Sequence, residues 1–150
     1  MAIQISVVGS GAEHQERAET VGRLLAERGA TVVTGGLGEV MAAACRGAKS
    51  AGGRTIGILP GERRADANEW LDHVVVTGIG HARNLAVVAS GDAVIAVGGR
   101  YGTLAEIGFA LTLARPVVVL EPGWDVKGTQ RAATPEEAVE LALTAARGSA

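Results

Sequence analysis

The chain is poor in sulfur, aromatic rings and lysine, and each shortage excludes a class of chemistry. Cys45 is the one cysteine in 150 residues, so no internal disulfide and no multi-thiolate metal site can form, in keeping with a reducing compartment. Lysine occurs only at Lys49 and Lys127. The first falls in a mid-chain helix and the second in a C-terminal loop, which disfavours Schiff-base chemistry on pyridoxal phosphate. Aromatic residues make up 3% of a sequence that is 47% hydrophobic. The core is therefore built from Ala, Val, Leu and Ile, a mix that suits slim helices on a buried sheet. Charge of one sign is also missing. With 14 basic and 16 acidic side chains the net charge is -2, and no general attraction to nucleic acid or an anionic membrane is expected. No apolar run approaches the ~18 residues of a membrane span, and the first strand has no basic lead. These features predict one soluble, cytoplasmic domain over residues 1–150.

What the sequence does have is a repeated rhythm of strand, loop and helix. Ile3 to Val8 is a β-rich run broken at Gly9-Ser10-Gly11, and Glu13 to Arg28 then carries helical spacing through Ala18, Val21, Leu24 and Leu25. The unit recurs as a strand from Thr31 to Thr34, a loop Gly35-Gly36-Leu37-Gly38, and a helix from Val40 to Ala51 stopped by Gly52-Gly53. Thr55 to Leu59 and Val74 to Val76 are further strands, separated by an irregular polar stretch with a short turn near Trp70. Next come a helix from His81 to Ser90, a strand from Ala93 to Val97, a glycine loop to Gly102, a helix from Thr103 to Ala114 and a strand from Val117 to Leu120. Thr134-Pro135-Glu136-Glu137 opens the last helix with a capping box, and the tail after Arg147 is expected to fray. Continuously apolar strands alternating with helices predict an α/β, Rossmann-like, doubly wound fold: a mainly parallel sheet with helices on both faces.

The glycines mark where a ligand is expected. Gly9, Gly11, Gly35, Gly36, Gly38, Gly78, Gly80, Gly98, Gly99 and Gly102 all follow strands and precede helices. In a parallel sheet those loops share one edge, where helix N-termini offer free N–H groups to an anion. Tight turns that need glycine for geometry alone are the plainer explanation of any single loop. Four loops together favour a phosphate-bearing ligand.

Familiar motifs are absent. Gly9-Ser10-Gly11 is not continued as G-x-G-x-x-G, and the second strand ends without an acidic residue, which disfavours NAD. There is no G-x-x-x-x-G-K-[ST], and Ser10 lacks a nucleophile elbow. His14, His73 and His81 lack metal-ligand spacing and read as surface or loop residues; no metal is expected.

The segments Thr34-Gly35-Gly36-Leu37-Gly38-Glu39-Val40-Met41 and Gly98-Gly99-Arg100-Tyr101-Gly102-Thr103-Leu104-Ala105-Glu106 resemble those of the Lonely Guy (LOG) superfamily over roughly Ile3 to Glu121. The resemblance implies a Rossmann-like fold and phosphoribohydrolase activity, which splits a nucleoside 5′-monophosphate into base and ribose 5-phosphate. The older lysine decarboxylase label for such proteins fits poorly with two lysines. Ile58-Leu59-Pro60, Ser90-Gly91-Asp92 and Thr134 to Val139 are similar to a shorter subfamily whose relatives include molybdenum-cofactor carriers. Carried over by position, the resemblance implies Arg83 and Glu106 as catalytic residues and Gly98, Gly99, Gly102 and Thr103 as phosphate ligands. The strand-end pattern adds Gly9, Ser10, Gly11, Gly35 and Gly36 to the ligand-binding set. Three positions depart from the family: Val97 replaces a proline, Arg100-Tyr101 puts two residues where one is usual, and Glu39 stands where glycine usually ends the first motif.

Each candidate has a bland alternative. Thr103-x-x-Glu106 is also a helix-capping box, Arg83 a solvated helix-start arginine, and Trp70 and Trp124 core anchors rather than stacking platforms. Three functional readings stay open. One is a phosphoribohydrolase that requires no cofactor. Another is a non-enzymatic carrier of a phosphorylated pterin such as molybdenum cofactor. The third is a protein whose glycine edge is structural and which acts through self-association or a protein partner. A homodimer or higher homo-oligomer is implied by the resemblance, with the apolar helix around Ile107, Phe109, Leu111 and Leu113 as a candidate interface.

Overall fold

A computed structural model describes residues 1–148. Seven strands form one sheet in the order β4-β3-β2-β1-β5-β6-β7, and every pairing is parallel. The strands are β1 (Gln4–Ser10), β2 (Thr31–Thr34), β3 (Thr55–Leu59), β4 (His73–Val76), β5 (Ala93–Gly98), β6 (Val117–Leu120) and β7 (Gln130–Ala132). The helices are α1 (Gln15–Glu27), α2 (Val40–Ser50), α3 (Arg83–Ser90), α4 (Tyr101–Thr112) and α5 (Pro135–Gly148). The doubly wound α/β architecture expected from the sequence is present.

The strands are apolar along their length because alternate residues feed two cores. Ile5, Val7, Val32, Ile95, Val97, Val118 and Leu120 pack beneath α1, α2 and α5, whereas Val8, Val33, Val94, Ala96, Val117 and Val119 pack beneath α3 and α4. With few aromatics, close helix contact depends on small residues. A Cβ on Gly22 would fall 1.9 Å from the Ala44 carbonyl oxygen, and one on Gly47 equally close to that of Glu19, so the α1–α2 crossing is backbone on backbone.

Some boundaries differ from expectation. α4 starts at Tyr101, two residues before Thr103. The short turn expected near Trp70 is present at residues 69 and 70, and a further 3-10 turn at Arg64–Asp66 precedes it. β7 was not expected: its pattern is exposed, exposed, buried, and three residues on a sheet edge carry too little hydrophobic signal to read. The fraying expected after Arg147 falls largely on residues 149 and 150, which lie outside the described residues, while α5 runs through Gly148. No helix among the described residues is long and apolar enough to cross a membrane.

The chain crosses over at β1. From β1 it winds outward through β2, β3 and β4, then returns to place β5 on the other side of β1. The switch point between β1 and β5 opens a crevice at the strand C-termini, the place where open α/β sheets bind ligands.

Candidate functional site

Contacts tie the loops at this edge together. The Gly11 N–H, after β1, donates to Glu39 Oε2 in the loop after β2 at 2.8 Å. Arg83, at the start of α3, donates through Nε to the Ile58 carbonyl at 2.8 Å and through a terminal nitrogen to the Gly35 carbonyl at 3.3 Å. Trp124 Nε1, after β6, donates to the Arg100 carbonyl, after β5, at 3.1 Å. The turns therefore converge. Two clefts lie between them: one of about 350 Å³ lined by Ser10, Gly11, Ala12, Glu13, Glu39 and Arg100, and one of about 320 Å³ lined by residues that include His14, Gly98, Gly99 and Trp124. A larger hollow, of about 730 Å³, lies at the opposite strand ends against Ile3, Gln4, Ser90 and Asp92, away from every candidate residue.

Arg83 is not a solvated helix-start arginine. It is 7% exposed, and Nη1 also donates to Asn84 Oδ1. A Cβ on Gly35 would come within 2.7 Å of the guanidinium, so glycine is required for this approach. Burial lowers the Arg83 pKa, and the charge of Glu106 opposes the shift. Glu106 shows the counterpart: burial raises its carboxyl to about 7, and Arg83 pulls it back down. A carboxylate held without a full solvent shell, with a cation nearby to limit the penalty, is the arrangement that produces such a value.

Nor does Thr103-x-x-Glu106 cap α4. The helix begins at Tyr101 with Arg100 in the N-cap position, and no side chain caps it. Both side chains are free for other work. Thr103 is 4% exposed, and its hydroxyl has no hydrogen-bond partner among the described residues.

The structure divides the candidate glycines. Gly9, Gly36, Gly98 and Gly99 fit where a Cβ would overlap, respectively, the Val97 carbonyl, Leu59, the His14 ring and Thr103, so packing already accounts for them. The Gly36 N–H is taken by Thr34 Oγ1 at 3.1 Å. Gly102 faces open space, and Ser10 and Gly11 line the first cleft.

Four further residues take part. His14 packs under Gly98 and accepts at Nδ1 from Arg17, 2.8 Å away, which leaves the proton on Nε2 because arginine only donates. Arg17 in turn holds the carbonyls of Glu121 and Pro122, and burial lowers its pKa. Trp124 is half-buried against Tyr101, with ring centroids 6.0 Å apart, and walls the second cleft. Glu39 occupies the Gly11 amide. Sequence reasoning gave His14 and Arg17 no site role, weighed Trp124 as a stacking platform or core anchor, and met Glu39 only as a departure from glycine, because their contacts join loops distant in sequence. By contrast, Lys49 is bonded to Asp72 at 2.7 Å and to the Gly53 carbonyl at 3.0 Å, and Gly53 precedes β3, at the far strand edge. Among the described residues no group of three or more His, Cys, Asp or Glu is placed to hold a metal ion.

The chain is similar to proteins of two kinds. A cytokinin riboside 5′-monophosphate phosphoribohydrolase of Mycobacterium tuberculosis is 33% identical over 81% of this chain and 70% of its own length. The molybdenum cofactor binding protein of Rippkaea orientalis superposes with a TM-score of 0.90 at 34% identity, covering 96% of this chain and 97% of that one. The molybdenum cofactor carrier protein of Chlamydomonas reinhardtii does so at 0.87 and 32%, over 97% and 98%. The SLOG cluster4 family profile matches residues 2–147, and the chain belongs to that family.

Proposed function

We propose that residues 1–150 act as one unit that binds a phosphorylated nucleotide-like ligand at the β1–β5 crevice and hydrolyses the N-glycosidic bond of a nucleoside 5′-monophosphate. One observation carries this reading: Glu106 is raised to about 7 by burial, beside Arg83, and is not engaged in capping its helix. An acid poised near neutral pH at a ligand-binding edge has the signature of a working group. In the reaction the C1′–N bond breaks with its electron pair leaving on the base. The sugar becomes oxocarbenium-like, and the Glu106 carboxylate stabilises that positive charge. Water then adds to C1′ and passes its proton to the departing base, which leaves ribose 5-phosphate. Arg83 orients and charge-balances Glu106, and the base stacks beside Trp124 and Tyr101. Incubation with adenosine or cytokinin monophosphate is expected to release free base, and Glu106→Ala to abolish the release.

The second reading is a non-enzymatic carrier of a phosphorylated pterin such as molybdenum cofactor. The similarity at a TM-score of 0.90 to a molybdenum cofactor binding protein favours it, and both readings share one phosphoryl group. Mass spectrometry of small molecules released by denaturing the purified protein separates them: an intact pterin phosphate supports the carrier, ribose 5-phosphate the enzyme. For either, a homodimer that covers α3 and α4 would bury Leu85, Phe109 and Leu113, whose exposures are 44%, 41% and 37%. Light scattering of a Phe109→Glu variant tests this, with a monomer as the expected result.

A further inference from the structure

The side chain of Glu39 has no role in the reaction just described, yet its backbone is held in an unusual state. Its φ of 54° and ψ of -123° lie where L-residues rarely settle. Among the described residues the only other non-glycine with positive φ is Ala114, just past the end of α4. Such a conformation persists only where other contacts hold it, and it often marks a site of function. The contact here is the 2.8 Å hydrogen bond from the Gly11 N–H to the Glu39 carboxylate. Gly11 stands at the head of the crevice beside β1, where a free amide would receive an anion such as phosphate. A tethered carboxylate already fills that place. Across the same cleft, the Arg100 side chain makes no hydrogen bond or ion pair with any described residue. Arg100 is therefore a donor left for an external anion on the α4 side of the cleft.

We propose that Glu39 is a selectivity residue: its carboxylate occupies the amide of the first glycine loop, so the crevice accepts one phosphoryl group against Arg100 and rejects a second. This rests on the reading that the crevice takes a phosphorylated ligand. A diphosphate bound at Arg100 would bring its other phosphate toward Gly11 and against a like charge in a partly dehydrated cleft, where repulsion is stronger than in water. Glycine at position 39 removes both the carboxylate and the conformational strain. Glutamine keeps the side-chain size and an acceptor for the Gly11 amide but loses the charge.

The test titrates wild type, Glu39→Gly and Glu39→Gln with inorganic phosphate and with pyrophosphate at constant ionic strength, following amide NMR shifts. Wild type is expected to bind phosphate in preference to pyrophosphate. Glu39→Gly is expected to raise the affinity for pyrophosphate relative to phosphate by about tenfold or more, with a smaller gain in Glu39→Gln. Phosphate binding with the same pyrophosphate-to-phosphate ratio in all three proteins overturns the selectivity inference and leaves the phosphate reading standing. Absence of phosphate binding in all three overturns both.

Discussion

The sequence Thr-x-x-Glu begins two helices, and the molecule uses it in two different ways. At α5, Thr134 Oγ1 accepts from the Glu137 N–H at 3.1 Å, and the Glu137 carboxylate reaches back to the Ala133 N–H at 3.0 Å. The segment is exposed, and its two polar side chains satisfy amides that the helix leaves over. At α4 the same letters fall one turn late, since the helix has already begun at Tyr101. Thr103 and Glu106 therefore point their polar groups at something other than the helix end, and burial moves Glu106 to about 7. Register decides which of the two uses a motif serves. Arg100-Tyr101, two residues where one is usual, form the start of α4 ahead of the motif.

Substitutions in the two motifs are therefore expected to separate cleanly. The largest effect is expected for Glu106→Gln assayed for base release from a nucleoside monophosphate: a loss of about 10²- to 10⁴-fold, the range for a positioned acid or base, whereas Glu137→Gln leaves the rate unchanged. Stability should move the opposite way. The Glu106 carboxyl has a folded value of about 7 against an ordinary 4.5, so the folded state holds its proton longer than the unfolded chain does. Its contribution is fully present below pH 4.5 and is lost as pH rises through 7, at about 1.4 kcal/mol per pH unit and roughly 3 kcal/mol in all. Denaturant melts at pH 5 and pH 8 should show this loss in wild type and a flatter profile in Glu106→Gln.

Arg83→Met sharpens the comparison from the other side. It strips hydrogen bonds from the Ile58 and Gly35 carbonyls, expected to cost about 1–3 kcal/mol. It also removes the positive charge that holds Glu106 down, so the midpoint of any pH–rate profile should move to higher pH. The smallest expected effect belongs to the caps. Thr134→Ala should cost about 1 kcal/mol of stability without touching ligand affinity. Thr103→Ala should reverse the pattern, with weaker phosphate binding and little loss of helix stability. If both variants behave alike in urea melts and in ligand titrations, the two motifs do the same job.

How much of this was legible in the sequence follows from the range of each signal. The strands β2, β3 and β6 carry their boundaries in runs such as Thr31–Thr34 and Val117–Leu120, because continuous apolar segments between breakers are local features. β7 was invisible for the same reason: Gln130–Ala132 shows one buried residue, and its identity as a strand comes from pairing with β6. Arg83 and Glu106 were reached through position in a family motif, and the coupling between them through a resemblance, not through any spacing. Their surroundings needed three dimensions. Gly35 reads as a loop glycine until Arg83 is seen against it, and His14 reads as a surface residue until it is found beneath Gly98. Glu39 was visible only as a departure from glycine; that its carboxylate would fold back on Gly11 depends on loops 28 residues apart meeting at the crevice.

Whether Glu106 is a working carboxylate at this edge is tested most directly by base release from adenosine or cytokinin monophosphate between pH 5 and pH 9. The expected result is a rate that rises with pH through a midpoint near 7, as Glu106 ionises, and that disappears in Glu106→Gln. Absence of base at high enzyme concentration, or a rate and pH profile the same in Glu106→Gln as in wild type, would contradict it.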